Sequence, residues 1–169
     1  AASSDYPLRD VYKRQGLALT YLDLSAEPVL RETYTLRDRF ETEGRSHAFN
    51  SRVDADGSGL IGIPTAGRDG DPNRMPWESA DSDVSFLSFD ANGRMSTLGA
   101  LSASEDAVDP SYSCEVSCVD WYGNARPIFT DGRVFALTGA ELVEGRVTRS
   151  GIQEVRRVNL TQPPPQRPN

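Results

Sequence analysis

From Gly16 onward, short apolar and β-branched runs alternate with clusters of Gly, Asp, Asn and Pro, the pattern of strands closed by turns. It predicts strands over Leu17 to Leu24, Val29 to Leu36, His47 to Val53, Gly59 to Thr65, Val84 to Asp90 and Arg94 to Leu101. Four more are predicted over Ala125 to Thr130, Arg133 to Thr138, Glu141 to Val147 and Ile152 to Asn159. Asp56-Gly57, Asn92-Gly93 and Asp131-Gly132 carry the positive φ that two-residue hairpins demand, so adjacent strands are expected to be antiparallel. Val29 to Phe40 also fits a helix starting at Ser25 with Pro28 in its first turn. The Thr33-Tyr34-Thr35 run favours a strand, on which Leu30, Glu32, Tyr34 and Leu36 share one face. Ile152, Val155 and Val158 recur at a spacing of three, but a short segment between Gly151 and a proline tract reads equally well as a polar outer strand.

The strands repeat as groups. Arg126 to Phe129, Val134 to Leu137, Glu141 to Val143 and Ile152 to Val158 follow one another with short links. The stretch from His47 to Leu101 repeats that order, and Leu17 to Leu36 supplies the last two strands of a preceding group. Four-stranded antiparallel units in series build β-propellers. Alternation fails at Phe86-Leu87 and Val134 to Leu137, as expected for strands buried on both faces between neighbouring sheets. The expected fold class is therefore all-β, a partial propeller of about two and a half blades. Its expected parts are a non-native, adaptor-like leader over 1–15, a half blade over 16–46, a blade over 47–101, a long loop over 102–124, a blade over 125–160 and a proline-rich tail over 161–169.

Three stretches carry a family resemblance. Tyr21 to Leu30 resembles a blade-ending strand and turn. His47-Ala48-Phe49 followed by Gly59-Leu60-Ile61-Gly62-Ile63-Pro64 is similar to a His-x-Ala-Phe strand and its partner. Arg126 to Thr138 looks like a recurrent blade start. In this order they resemble bacterial and archaeal secreted proteins with a C-terminal β-propeller domain. Asn50-Ser51 departs from the aromatic pair that family tends to place there, and the loops over Gly67 to Asp83 and Ser102 to Tyr122 are long. The resemblance implies a secreted or cell-surface location and no particular chemistry; any export signal is expected upstream of Ala1.

Composition narrows the partners. The 37% hydrophobic content is enough for a packed core, and 25 acidic against 18 basic residues give a formal charge of −7, which repels a phosphate backbone, so no nucleic-acid partner is expected. The longest apolar runs, such as Val134 to Leu137, are far too short to span a bilayer.

Candidate chemistry is sparse. Cys114 and Cys118, with three residues between them, suit a small disulfide loop; a two-thiolate metal site would need further ligands, and the single histidine, His47, is remote in sequence. Asp54 and Asp56, and Asp69 and Asp71, are closely spaced carboxylates that invite calcium, yet counting from Asp69 puts Arg74 where a calcium loop needs Gly and Ala80 where it needs Glu. Turn-forming acids are the competing reading, and no cofactor is assigned. One base and no Gly-x-Ser-x-Gly elbow argue against a hydrolase triad. The loop holding Asp109, Tyr112, Trp121 and Tyr122 reads either as a recognition surface or as a lid over blade surface, and Trp77 marks a second such loop. The expected role is a non-catalytic binding or scaffold module for a protein or carbohydrate, completed by the remaining blades of a larger protein. The alternative is part of an exported hydrolase or metal-dependent propeller enzyme with catalytic residues in other blades.

Overall fold

The computed structural model describes residues 16–42, 48–67, 83–104, 125–138 and 141–160. Their regular structure is entirely strand, in three antiparallel sheets. No helix among the described residues is long and apolar enough to cross a membrane. The first sheet is a hairpin of β1 (Gly16–Asp23) and β2 (Val29–Arg37). The second holds β3 (Arg39–Glu41), β4 (Asn50–Val53), β5 (Gly59–Gly67), β6 (Asp83–Phe89) and β7 (Met95–Ser102). The third is a four-stranded meander of β8 (Ala125–Thr130), β9 (Arg133–Thr138), β10 (Glu141–Thr148) and β11 (Gly151–Asn159). Val29 to Arg37 and Gly151 to Asn159 are strands, so the β-branched content of the first and the turn-bounded shortness of the second prevailed over their helical spacings.

The short strand β3 escaped the sequence pattern. Asp38 takes a left-handed φ of 55°, which breaks the chain after β2 and sends it to the next sheet. There β3 and β4 share one edge of β5. Glu41 pairs with Thr65, the Thr42 amide donates to the Pro64 carbonyl at 3.3 Å, and pairing resumes with Asn50 opposite Gly62. β3 and β4 thus act as two pieces of one edge strand, and the second sheet has the same four tiers as the third.

Two of the three expected two-residue turns are longer. Only Asp131-Gly132 has both residues at positive φ, 49° and 73°, between the paired Thr130 and Arg133. At Asp54 to Ser58 and at Asp90 to Arg94, only the glycine is left-handed. The first residue's amide donates to the fifth residue's carbonyl, and the glycine amide returns to the first residue's carbonyl. These are three-residue loops, because Asp56 and Asn92 stay right-handed and one more residue is needed to reverse the chain.

The sheets stack face to face in chain order. Between the hairpin and the second sheet, Leu36, Ile61, Ile63, Leu87, Phe89 and Met95 form one core, with Leu17, Leu19, Tyr21 and Tyr34 packed on it. Between the second and third sheets, Leu60, Val84, Phe86, Leu101, Val134, Ala136 and Val143 form the other, with the Phe86 and Phe129 rings edge to face at 6.2 Å. Gly62 lets the two backbones close up, since a Cβ there would stand 2.3 Å from the Pro127 Cβ. The middle sheet is consequently buried on both faces, and β5 and β6 are buried along nearly their whole length. In β9 the expected burial on both faces is absent: Val134 and Ala136 are buried, whereas Phe135 and Leu137 are half-buried on the face turned away from the second sheet.

Each sheet ends in the same irregular hairpin. Tyr21 pairs with Glu32 but Leu22 pairs with Leu30, leaving Arg31 as an extra residue in β2. The same slip leaves Leu98 extra in β7 and Val155 extra in β11. One β-bulge in the last strand of each sheet aligns the three units residue by residue: Leu19, Val84 and Leu142 are equivalent, as are Tyr21, Phe86 and Glu144.

Candidate functional site

Antiparallel meanders sort their connections by end. The hairpin turns after β1, β4, β6, β8 and β10 lie at one end of the stack. The chain leaves the other end at Gly67 and returns at Asp83, then leaves at Ser104 and returns at Ala125. Both long connections are therefore rooted on one end.

That end is built on two buried acids. Asp83 opens β6 and Glu141 opens β10, and bulge alignment makes them equivalent positions. Glu141 is 2% exposed. It accepts the Ser104 amide and the Ser104 hydroxyl, both at 2.8 Å, and forms an ion pair with Arg157, whose guanidinium also reaches Glu154 and the Ser102 carbonyl. Asp83 is ion-paired with Arg39, and beside it the Thr65 and Ser85 hydroxyls hydrogen-bond at 2.7 Å within the core. The partners obey one rule. Arg39 lies two residues past the end of β2, and Ser104 lies two residues past the end of β7. In both units, the acid that opens the third tier grips the chain as it comes off the preceding sheet.

The electrostatics fit a clamp. Burial alone pushes the Glu141 carboxyl up, but the Ser104 amide and hydroxyl together with Arg157 outweigh it and hold the group below the ordinary carboxylate range. Glu154 and then Glu141 hold the Arg157 guanidinium more firmly protonated. A carboxylate kept ionised is a fastener and a poor proton donor at neutral pH. A groove of about 400 Å³ opens beside the Asp83 clamp, between β2 and β7, lined by Arg37, Arg39, Thr35, Ser85 and Thr97 among others.

The residues singled out from sequence fall elsewhere. Asp109, Tyr112, Trp121 and Tyr122, with Cys114 and Cys118, lie outside the described residues, as do Trp77, Asp69, Asp71 and His47. Except for His47, which falls between β3 and β4, they belong to the two connections rooted on the clamp end. Asp54 and Asp56 sit at the opposite end, in the β4–β5 turn. Asp54 is bonded by the Arg52 guanidinium at 3.1 Å, and Asp56 accepts the Ser58 amide at 3.0 Å and hydroxyl at 2.6 Å. The two bonds from Ser58 lower the Asp56 carboxyl. Among the described residues, no three His, Cys, Asp or Glu side chains converge as a metal site.

The chain matches no family model. No curated protein and no solved structure matches it either. The clamp acids were missed in sequence although a signal existed: Asp83 precedes Val84-Ser85-Phe86 and Glu141 precedes Leu142-Val143, an acid opening the third strand of each repeat.

Proposed function

We propose that the chain is part of an exported β-propeller that acts as a non-catalytic binding module for a protein or glycan at a cell surface. The propeller reading is supported by three units in series that share a hairpin bulge, a stacking direction and, in two of them, a junction clamp. The binding reading is carried by one observation: both long connections, over 68–82 and 105–124, are rooted on a single end while the tight turns occupy the other. Connections rooted on one end of a rigid scaffold are where recognition concentrates, and these two hold both tryptophans of the chain.

The test is capture on an array of surface polysaccharides and cell-wall glycans, and by intact cells, with Trp77→Ala and Trp121→Ala beside the parent. Loss of capture by either variant, with unchanged far-UV dichroism, supports the assignment. Equal capture by all three proteins removes these loops from the site. Electron microscopy of the complete natural protein tests the architecture separately, because an open stack of sheets in place of a closed ring would defeat the propeller reading.

A further inference from the structure

The two seams between sheets differ at one pair of equivalent positions. By the bulge alignment, Arg157 in β11 corresponds to Ala100 in β7, because Arg157 pairs with Val143 and Ala100 pairs with the equivalent Ser85. Arg157 closes the seam between the second and third sheets: its guanidinium binds Glu141 and Glu154 and reaches across to the Ser102 carbonyl at 3.0 Å. Ala100 has no such reach. The ion pair to the equivalent acid, Asp83, comes instead from Arg39, on the chain leaving β2. The volume that an arginine stem takes up in one seam is open in the other, as the groove of about 400 Å³ between β2 and β7 that Ala100 lines.

The lining sets the ligand chemistry. Arg37 and Arg39 line the groove and Asp83 neutralises one of them, so the groove keeps a positive charge in a chain of formal charge −7. Ser85 and Thr97 bring hydroxyls to its walls. The Thr97 oxygen accepts the Gly99 amide at 3.3 Å, which leaves the hydroxyl hydrogen to donate. Tyr34, half-buried against the core between these sheets, adds an aromatic ring. A cationic end, hydroxyl-bearing walls and one ring complement a ligand with a carboxylate, several hydroxyls and an apolar ring face, which is the chemistry of a sugar acid. The volume lies within the range of about 300 to 1,000 Å³ of small-molecule sites. We propose that this groove is a subsite for an acidic sugar residue of a surface glycan, with its carboxylate held by Arg37 and Arg39, its hydroxyls by Ser85 and Thr97 and its ring face by Tyr34. The proposal rests on the binding reading above and narrows it to acidic glycans.

The experiment is titration calorimetry of the full chain with trigalacturonate, with maltotriose as the neutral sugar and glutarate as a carboxylate without a sugar ring. The expected result is that trigalacturonate binds at least about tenfold more tightly than either control. Ala100→Arg, which copies the third unit and closes the seam, should abolish that binding with the urea midpoint unchanged or raised. Thr97→Glu, at an exposed position, copies Glu154 of the third unit and sets a charge against the carboxylate, so it carries the same test if Ala100→Arg does not fold. Arg37→Gln should weaken trigalacturonate about threefold. No binding of trigalacturonate, equal binding of maltotriose or glutarate, or binding that survives in the folded variants overturns the proposal. Glycan capture that Trp77→Ala or Trp121→Ala abolishes and Ala100→Arg leaves intact overturns the groove while the binding module stands.

Discussion

The middle sheet and the C-terminal sheet are built from the same meander, yet their amphipathicity differs. In the middle sheet, β5 and β6 are buried on both faces because a sheet lies on each side. In the third sheet only the inner face is buried. Its outer face carries Ile128, Phe135, Leu137 and Leu142 half-buried and Val158 45% exposed, beside Arg133, Glu144, Arg146 and Arg156. Arg133 covers part of this apolar surface: its guanidinium lies 4.7 Å from the Phe135 ring centre and pairs with Glu144 at 2.7 Å. Strand order and twin bulges are properties of the unit, whereas burial is a property of its position in the stack. By the bulge alignment, the outer face of the third sheet corresponds to the face with which the second sheet covers the third.

The largest expected effect breaks this comparison directly. Phe86→Ala, in the fully buried face, should cost about 4 kcal/mol, whereas Phe135→Ala should cost less, about 2 kcal/mol, because its ring is already partly exposed. Urea unfolding of the two variants measures the difference, and similar losses would mean that Phe135 is covered.

Next comes the junction clamp. Glu141→Ala strips a buried carboxylate from Arg157 and from both Ser104 donors, and should cost about 3 kcal/mol in the same assay. The clamp also predicts a pH dependence. The folded Glu141 carboxyl lies below its unfolded value, so its contribution is complete above the ordinary glutamate range and is lost as pH falls through the depressed folded value. Acid titration of stability should therefore show a decline that Glu141→Gln flattens, and an identical decline in both proteins would remove Glu141 as its source.

Gly62→Ala probes the approach of the two sheets. Its Cβ would collide with Pro127, so a loss of about 2 kcal/mol is expected by thermal or urea unfolding, and a neutral result would show that the sheets separate easily. The smallest expected effect is at a turn. Gly57→Ala meets only ordinary contacts with Ala91, so its cost is confined to the positive φ, about 1 kcal/mol. A loss as large as that of Gly62→Ala would show that the β4–β5 turn is packed more tightly than its exposure indicates.

Most strands were legible because local chemistry defines them. β8 and β9 match their expected bounds, and most of the others differ by a residue or two. What failed was what depends on partners. β3 has three residues and no periodicity of its own, and is a strand only because Thr65 to Gly67 offers it an edge. Asp56-Gly57 and Asn92-Gly93 resembled tight turns, but the lengths of their loops were set by the pairing of the strands on each side. The acids of the clamps left a signal, but their partners were illegible for the same reason: Arg39 and Asp83 are far apart in the chain, and so are Ser104 and Glu141. Only stacking brings them together.

The sequence by itself determined an all-β chain, the order of most of its strands and their grouping, because alternation, turn residues and antiparallel connection are local rules. The tertiary structure decided which faces are dry and which acids are clamps. Those depend on what a strand meets across a sheet or between sheets: the run around Phe86, flanked by serines, is dry on both faces, whereas the longer apolar run around Phe135 is buried on one.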